Sequence, residues 1–259
     1  MRTQVIGERA SRWLRPVALK VPEITVWFWV IKLLSTAMGE STSDFLVFHI
    51  NPYVAVVLGS FGLVLAVAIQ LAVPRYQAPV YWFAVVMIAV FGTMIADVLH
   101  VVVGIPYAVS TAALGAALAV VFLAWQRVEG TLSIHSIVTT RRELFYWAAV
   151  IVTFALGTAA GDLVASTLGL GYGPAALIFA VAFVIPAIGY RWLGWDAIAA
   201  FWAAYVITRP LGASVADWLG KSTLGGLGLG DERVAIVLAG CIILAVGYVT
   251  VTRIDIGTA

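Results

Sequence analysis

The sequence has very little charge. Only 11% of its 259 residues are Asp, Glu, Lys or Arg, whereas 63% are apolar. A water-soluble domain of this size would need far more polar surface, so that class is excluded. We therefore expect the surplus apolar surface to face lipid.

Cysteine is almost absent as well. Cys241 is the only cysteine, which excludes an internal disulfide and any cysteine-based metal motif. The net charge of +2 is not gathered into one basic face, so nucleic acid is not an expected partner. The N-terminal residues lack a short apolar core with a small-residue cleavage site, and we do not expect a cleaved signal peptide.

Long runs of apolar residues make up most of the sequence. Each is long enough to cross a hydrocarbon core of roughly 30 Å. Lipid offers no partner to unpaired backbone groups, so each run is predicted to be a helix. The predicted fold is an all-α integral membrane protein with eight transmembrane helices. Their predicted bounds are 24–48, 52–72, 79–103, 106–126, 144–168, 174–193, 196–220 and 233–252.

A motif of the form Trp-x9-Gly-x4-Asp occurs four times. Successive motif glycines are 53, 65 and 55 residues apart, and each interval holds two of the apolar runs. The pattern predicts four tandem two-helix repeats whose first helix carries the motif. The motif residues are Trp29, Gly39 and Asp44; Trp82, Gly92 and Asp97; Trp147, Gly157 and Asp162; and Trp202, Gly212 and Asp217.

The repeats divide the chain into predicted segments. These are a basic cytoplasmic N-terminal segment at 1–22, a first transmembrane half at 23–126, a cytoplasmic linker at 127–142 and a second transmembrane half at 143–259. Since each repeat has an even number of helices, all four cross the membrane in the same sense. They can therefore be related by an axis along the membrane normal.

The basic residues predict the orientation. With the N-terminus inside, eleven Lys and Arg residues fall in cytoplasmic segments, and only Lys221 and Arg233 fall outside. This distribution satisfies the positive-inside rule and places both termini in the cytoplasm. The eleven are Arg2, Arg9, Arg12, Arg15, Lys20, Arg75, Arg127, Arg141, Arg142, Arg191 and Arg253.

The motif glycines are predicted to pack helices together. The residue four positions after each of Gly39, Gly92, Gly157 and Gly212 is also small, and small residues at this spacing let helix backbones approach closely in lipid. The motif aspartate follows next, so its side chain is expected to point into the bundle.

The four aspartates are predicted to lie at one depth in the outer half of the membrane. Each lies fifteen residues after its tryptophan, or about 22 Å along a helix. A charged carboxylate at that depth costs several kcal/mol unless it is paired, hydrated or protonated. We expect them to line a cation site or pathway. The alternative is that each only caps a neighbouring helix end.

Two repeats carry additional candidate ligands. Glu40 precedes Asp44 by one turn, and His100 follows Asp97 by three residues. Carboxylates together with an imidazole suit a divalent metal such as Mn²⁺, Fe²⁺ or Zn²⁺. The alternative for His100 is an ordinary hydrogen-bonding role near a helix end. The predicted metal ligands are Glu40, Asp44, Asp97, His100, Asp162 and Asp217.

Two basic residues, Lys32 and Arg209, also lie within predicted spans. The predicted spans thus contain five carboxylates but only two basic side chains, and a dry bundle would not tolerate this imbalance of charge. Bound cations or protons are expected to complete the balance. Lys32 and Arg209 are predicted counter-ions that reset an empty site, with simple structural pairing as the alternative.

Two segments resemble a known family. KVPEITVWFWVIKLLSTAMGESTSDFL and TRRELFYWAAVIVTFALGTAAGDL are similar to bacterial inner-membrane proteins described only as "membrane-anchored protein". The similarity covers the chain from about residue 20 onward. It implies a bacterial inner-membrane location, and no activity or functional residue is carried over from it.

The repeats and charges favour a secondary transporter for a cation. The expected cation is a divalent metal such as manganese, coupled to protons through the intramembrane carboxylates. A cation channel with a carboxylate-lined pore and a non-transporting scaffold or assembly factor are the alternatives. An enzyme is not expected, since no nucleophile–base pair or HExxH site lies in the spans. No permanently bound cofactor is expected. The expected partners are the lipid bilayer and the transported cation, with a homo-oligomer left open.

Overall fold

The computed structural model of the protein describes residues 19–256. Eight long helices account for most of this part of the chain, which contains no strand. The predicted all-α fold with eight helices is confirmed. The helices are α1 (Val26–His49), α2 (Pro52–Ala72), α3 (Ala78–Asp97), α4 (Tyr107–Glu129), α5 (Thr140–Asp162), α6 (Tyr172–Trp192), α7 (Ala197–Gly220) and α8 (Asp231–Thr252).

Short polar side chains begin several of these helices. Asn51 Oδ1 accepts a hydrogen bond from Tyr53 N at 3.0 Å, and Pro52 occupies the first turn, where a missing N–H costs little. Asp196 Oδ1 caps α7 by accepting from Ile198 N and Ala199 N. These caps fix where each helix starts after a short connection.

The helices are those of a multi-pass membrane protein. Seven of the eight are long and apolar enough to cross a bilayer. The eighth, α1, has 24 residues, but Lys32, Glu40 and Asp44 interrupt its apolar run. The charges that lower its hydropathy point into the bundle, where all three side chains are buried.

The first helices of the four repeats form a closed inner ring. α1 packs against α3 and α7, and α5 packs against the same two helices from the other side. The second helix of each repeat lies outside and packs mainly on the inner helix of the next repeat, since α2 packs on α3, α4 on α5 and α6 on α7. α8 packs on α1 and so closes the circle. The outer helices expose most of the large apolar side chains.

The motif glycines lie where neighbouring inner helices cross. Gly39 faces Ala89, Gly92 faces Phe154, Gly157 faces Arg209 and Gly212 faces Thr36. In every case the facing residue lies three positions before the motif glycine of the next repeat around the ring, where the first repeat follows the fourth. The same contact therefore recurs four times around one axis, as expected for repeats that cross the membrane in the same sense.

Both ends of the described chain lie on one face of the bundle, here called the terminal face. It contains residues 19–25, 73–77, 130–139, 193–196 and 253–256. The residues just before α1 connect the segments of the terminal face by backbone hydrogen bonds. Lys20 N donates to Ile137 O at 3.1 Å, and Glu23 N donates to Asp255 O at 2.9 Å. Lys20 Nζ also pairs with the buried Glu143 carboxylate. The other end of the bundle is called the opposite face.

The predicted segment boundaries differ from the helix ends in detail. The linker predicted at 127–142 is helical at both ends, because α4 continues to Glu129 and α5 begins at Thr140. Gly130, with φ of 73°, ends α4 in a left-handed conformation. Most of the N-terminal segment predicted at 1–22 lies outside the described residues.

Replacing Gly39 with alanine should destabilise the bundle. The added Cβ would overlap Ala89 Cβ and lie 2.8 Å from the Ala89 carbonyl carbon, neither of which can swing aside. We expect a loss of about 1–3 kcal/mol, the usual cost of overpacking. Thermal unfolding in detergent would measure it.

Gly240→Ala is the matched control, because a Cβ at Gly240 on α8 meets nothing within 4 Å. It should keep or slightly raise the unfolding temperature, since alanine is the better helix former. Equal effects of the two substitutions would contradict close packing at Gly39.

Candidate cation site

One side chain from each repeat meets on the axis of the inner ring. Arg209 Nη2 lies 2.6 Å from Glu40 Oε2 and 2.6 Å from Thr158 Oγ1, and it also contacts Thr93 Oγ1. Thr93 donates a hydrogen bond to the same Glu40 oxygen at 3.0 Å. These four residues are called the axial node.

The axial node is shut off from solvent. Its four residues are at most 2% exposed. Removing one partner of such a buried pair typically costs about 3–5 kcal/mol, because the other charge is left uncompensated. The node therefore holds the four inner helices in one fixed register.

A cluster of three carboxylates lies next to the node, toward the opposite face. Glu40, Asp44 and Asp217 are all buried, and each offers an oxygen within 4.8 Å of the others. This separation is close to the largest, about 4–5 Å, at which two oxygens can bind opposite sides of one cation. Glu40 thus belongs both to the axial node and to the cluster.

Lys221 supplies a positive charge to this cluster. Its Nζ lies 2.9 Å from Asp44 Oδ2 and 2.8 Å from Asp217 Oδ1. Lys221 directly follows α7, and its side chain reaches back one turn to Asp217. The ammonium group of a partly exposed side chain therefore lies where a bound cation would interact with the same two carboxylates.

Asp97 and Asp162 lie near the cluster but at altered helix ends. Each is followed by a π-helical turn, Val98–Val102 and Leu163–Thr167 respectively, whereas α1 and α7 continue as α-helices past their aspartates. Both carboxylates are partly buried and interact electrostatically with Asp44 and Glu40. Turns of this kind often occur at functional sites.

His100 lies outside the carboxylate cluster. Its Nδ1 is 3.0 Å from Ile105 O, and its ring stacks on Tyr107 at 3.7 Å between centroids. These contacts hold the π-helical turn after Asp97 against the start of α4. Among the described residues, the groups that can close around one ion are carboxylates only.

Lys32 lies closer to the terminal face than the axial node does. Its Nζ is fully buried and has no hydrogen-bond partner among the described residues. It lies 3.9 Å from the ring centroid of Phe154 and 4.3 Å from that of Tyr205. Arg209 pairs with a carboxylate, whereas Lys32 contacts aromatic rings.

The structure therefore brings together part of the predicted site. Glu40, Asp44 and Asp217 form a cluster, Arg209 pairs with Glu40, and Asp97 and Asp162 lie around it. Lys221, Thr93 and Thr158 also belong to the site but are not among the predicted residues. The two threonines occupy the same motif position as Glu40, and Lys221 follows Asp217 by four residues. These two spacings are the signals in the sequence that point to them.

The arrangement can bind a cation by exchange. The bundle contains five carboxylates and three basic side chains, Lys32, Arg209 and Lys221, so ionised groups would leave an excess of two negative charges. Carboxylate oxygens without nitrogen or sulfur ligands favour hard cations such as Mg²⁺, Ca²⁺ and Mn²⁺. Displacing Lys221 would free two of the carboxylates for such an ion.

These features define a class of protein, namely a multi-pass membrane bundle of four hairpin repeats around an acidic axis. The model of a repeat family described as "Repeat of Unknown Function (DUF347)" matches the chain four times, at residues 27–76, 80–131, 145–194 and 200–255. The chain belongs to this family, and the four predicted repeats are confirmed. No curated protein and no solved structure matches the chain.

Glu40→Gln should destabilise the protein by leaving Arg209 without its carboxylate. A loss of about 3–5 kcal/mol is expected. Adding Arg209→Met should restore much of it, because the double variant contains neither charge. Thermal unfolding of the single and double variants in detergent would measure the coupling.

Glu232→Gln, at an exposed carboxylate in the first turn of α8, is the control and should leave stability unchanged. If the effects of Glu40→Gln and Arg209→Met were additive in the double variant, the axial node would not hold the inner helices together.

Proposed function

We propose that this protein is a secondary transporter for a cation, a divalent metal such as manganese, exchanged for protons at the intramembrane carboxylates. The substrate site is formed by Glu40, Asp44 and Asp217. Asp97 and Asp162 lie beside it and adjust its charge during the cycle.

The contact of Lys221 with two buried carboxylates is the observation that carries this proposal. An ammonium group bridges Asp44 and Asp217, each at less than 3 Å. Lys221 has 24% of its side chain exposed, so it can leave toward water when a cation arrives. A purely structural ion pair would not require a third carboxylate, Glu40, within reach of the same position.

The closed axis favours a transporter over a channel. On the terminal side of the cluster, the axial node fills the centre of the ring. On the terminal side of the node, the bundle is filled by fully buried side chains, those of Lys32, Phe154 and Tyr205. A cation that enters from the opposite face meets a closed bundle, which alternating access explains and a continuously open pore does not.

The proposed location is a bacterial inner membrane, with the terminal face in the cytoplasm. The distribution of Lys and Arg supports this orientation. The carboxylate cluster would then open toward the outside. The terminal face, whose segments are hydrogen-bonded to one another, would be the closed cytoplasmic side.

Cysteine labelling tests the orientation. In a Cys241→Ser background, His135→Cys should react with a membrane-impermeant maleimide only in inverted vesicles, because residue 135 lies on the terminal face. Leu224→Cys should react only in intact cells, since residue 224 is exposed on the opposite face. The reverse pattern would place the termini outside.

Asp44→Asn and Asp217→Asn should each abolish Mn²⁺ uptake into proteoliposomes. Asparagine keeps the size and much of the hydrogen bonding but removes the charge, so a packing role would survive and a cation site would not. Mn²⁺ binding measured by calorimetry should weaken by about tenfold or more, as expected for loss of a metal ligand.

Glu232→Gln is again the control and should transport normally. Full uptake by both asparagine variants would show that these aspartates are structural. Large single-channel currents from the wild-type protein would instead favour a channel. A wild-type protein that neither binds nor moves Mn²⁺, Mg²⁺ or Ca²⁺ would contradict the proposal.

A further inference from the structure

Asp231, the first residue of α8, lies beside the end of α7 on the opposite face. A Cβ added to Gly220, the last residue of α7, would overlap Asp231 Oδ1, so this oxygen packs directly against the Gly220 backbone. The loop between the two helices holds them in this position, because Gly230 N donates to Gly220 O and Gly228 N donates to Lys221 O, both at 3.0 Å. The fold thus places a carboxylate next to the residue that precedes Lys221.

The Asp231 carboxylate is an unused acceptor. Its Oδ1 atom is buried and has no hydrogen-bond partner among the described residues. A buried oxygen without a donor costs the desolvation of that group. In the described part of the chain, the basic groups that act on it electrostatically are Lys221 and, less strongly, His49. His49 is exposed, and its Nδ1 lies 2.9 Å from Phe45 O. Lys221 is therefore the basic group best placed to reach Asp231.

The Lys221 ammonium can reach Asp231 by rotation of its own side chain. Consecutive Cα atoms are about 3.8 Å apart, so the contact at Gly220 places Asp231 Oδ1 within about 8 Å of the Lys221 Cα. An extended lysine side chain holds its ammonium about 6 Å from Cα, and a hydrogen bond adds about 3 Å. The side chain is 24% exposed, which leaves it a path along the edge of the bundle. No rearrangement of α7 or α8 is needed.

The repeats provide an internal comparison, because only the fourth has this pair of charges. Acidic side chains stabilise the N-terminus of a helix, yet the second helices of the other three repeats have none in their first turn. An acid at this position is therefore not a general requirement of the repeat. The equivalent residues in the first three repeats are Phe48, Val101 and Ser166 in place of Lys221, and Pro52, Tyr107 and Tyr172 at the start of the second helix.

We propose that Asp231 is the second binding position of the Lys221 ammonium. This rests on the proposed exchange of a cation at the carboxylate cluster. When the cation enters, the ammonium leaves Asp44 and Asp217 and pairs with Asp231, and it returns when the cation leaves. Asp231 thus keeps the displaced charge paired at the edge of the membrane, where an unpaired charge is costly. It is a positioning residue for the exchange and not a ligand of the ion.

The first test produces the transfer without any metal ion. When Asp44→Asn and Asp217→Asn are combined, Lys221 loses both of its present partners and should pair with Asp231. Adding Asp231→Asn to this background should lower the unfolding temperature by about 3–6 °C, the shift expected for a hydrogen bond to a charged group. In the wild-type background the same substitution should change it by at most about 2 °C, because Asp231 has no partner there. Equal shifts in the two backgrounds would overturn the proposal.

The second test measures Mn²⁺ affinity by calorimetry. Asp231→Asn should weaken binding by about tenfold, because the displaced ammonium then has no acceptor. In a Lys221→Met background the same substitution should change the affinity by no more than about twofold, since there is no ammonium to receive. An equal loss in both backgrounds would mean that Asp231 attracts the ion directly, which would overturn the proposal.

Glu232→Gln is the matched control, because it removes an exposed carboxylate from the same first turn of α8. It should leave both the unfolding temperature and the Mn²⁺ affinity as in wild type. Asp231→Glu, which keeps the charge, should retain most of the affinity that Asp231→Asn loses. Failure of the wild-type protein to bind Mn²⁺ would count against the proposed function, while the unfolding measurements would still decide whether Asp231 accepts the Lys221 ammonium.

Discussion

The fold depends on the buried contact between Arg209 and Glu40. Lipid supplies no counter-charge, so a guanidinium on the axis must find its partner within the protein. Thr93 and Thr158 complete the node, which therefore takes one side chain from every repeat. The glycines one residue before Glu40, Thr93 and Thr158 allow the backbones to come close enough for these short side chains to meet. Close packing and charge pairing thus specify the same ring.

The node also divides the bundle into two chemically different halves. Toward the opposite face, Asp44 and Asp217 contact Lys221 at the edge of water. Toward the terminal face, Lys32 is enclosed by the rings of Phe154 and Tyr205. Glu40 and Arg209 separate the two. In the proposed cycle, a cation and protons exchange at the carboxylates, and Glu40 links this exchange to the buried pair with Arg209.

Much of the fold could be predicted from the sequence because apolar length and the repeated motif are local signals. They predicted eight helices and four hairpins. The closing contact of α8 on α1 could not be predicted, because it joins the two ends of the chain. Within the site, Glu40 and Asp44 share a helix face and could be grouped from their spacing. The placement of Asp97 and Asp162 at π-helical turns had no sequence signal. The contact of Lys221 with the site could not be predicted, because hydropathy ignores how far a long side chain reaches back.

The position of a bound ion tests the central claim most directly. Anomalous diffraction from crystals grown with Mn²⁺ would locate it without reference to transport. The account predicts one strong peak between Glu40, Asp44 and Asp217, with the Lys221 ammonium displaced from the two aspartates. A structure at saturating Mn²⁺ in which Lys221 still bridges Asp44 and Asp217, and no peak lies within the bundle, would contradict it.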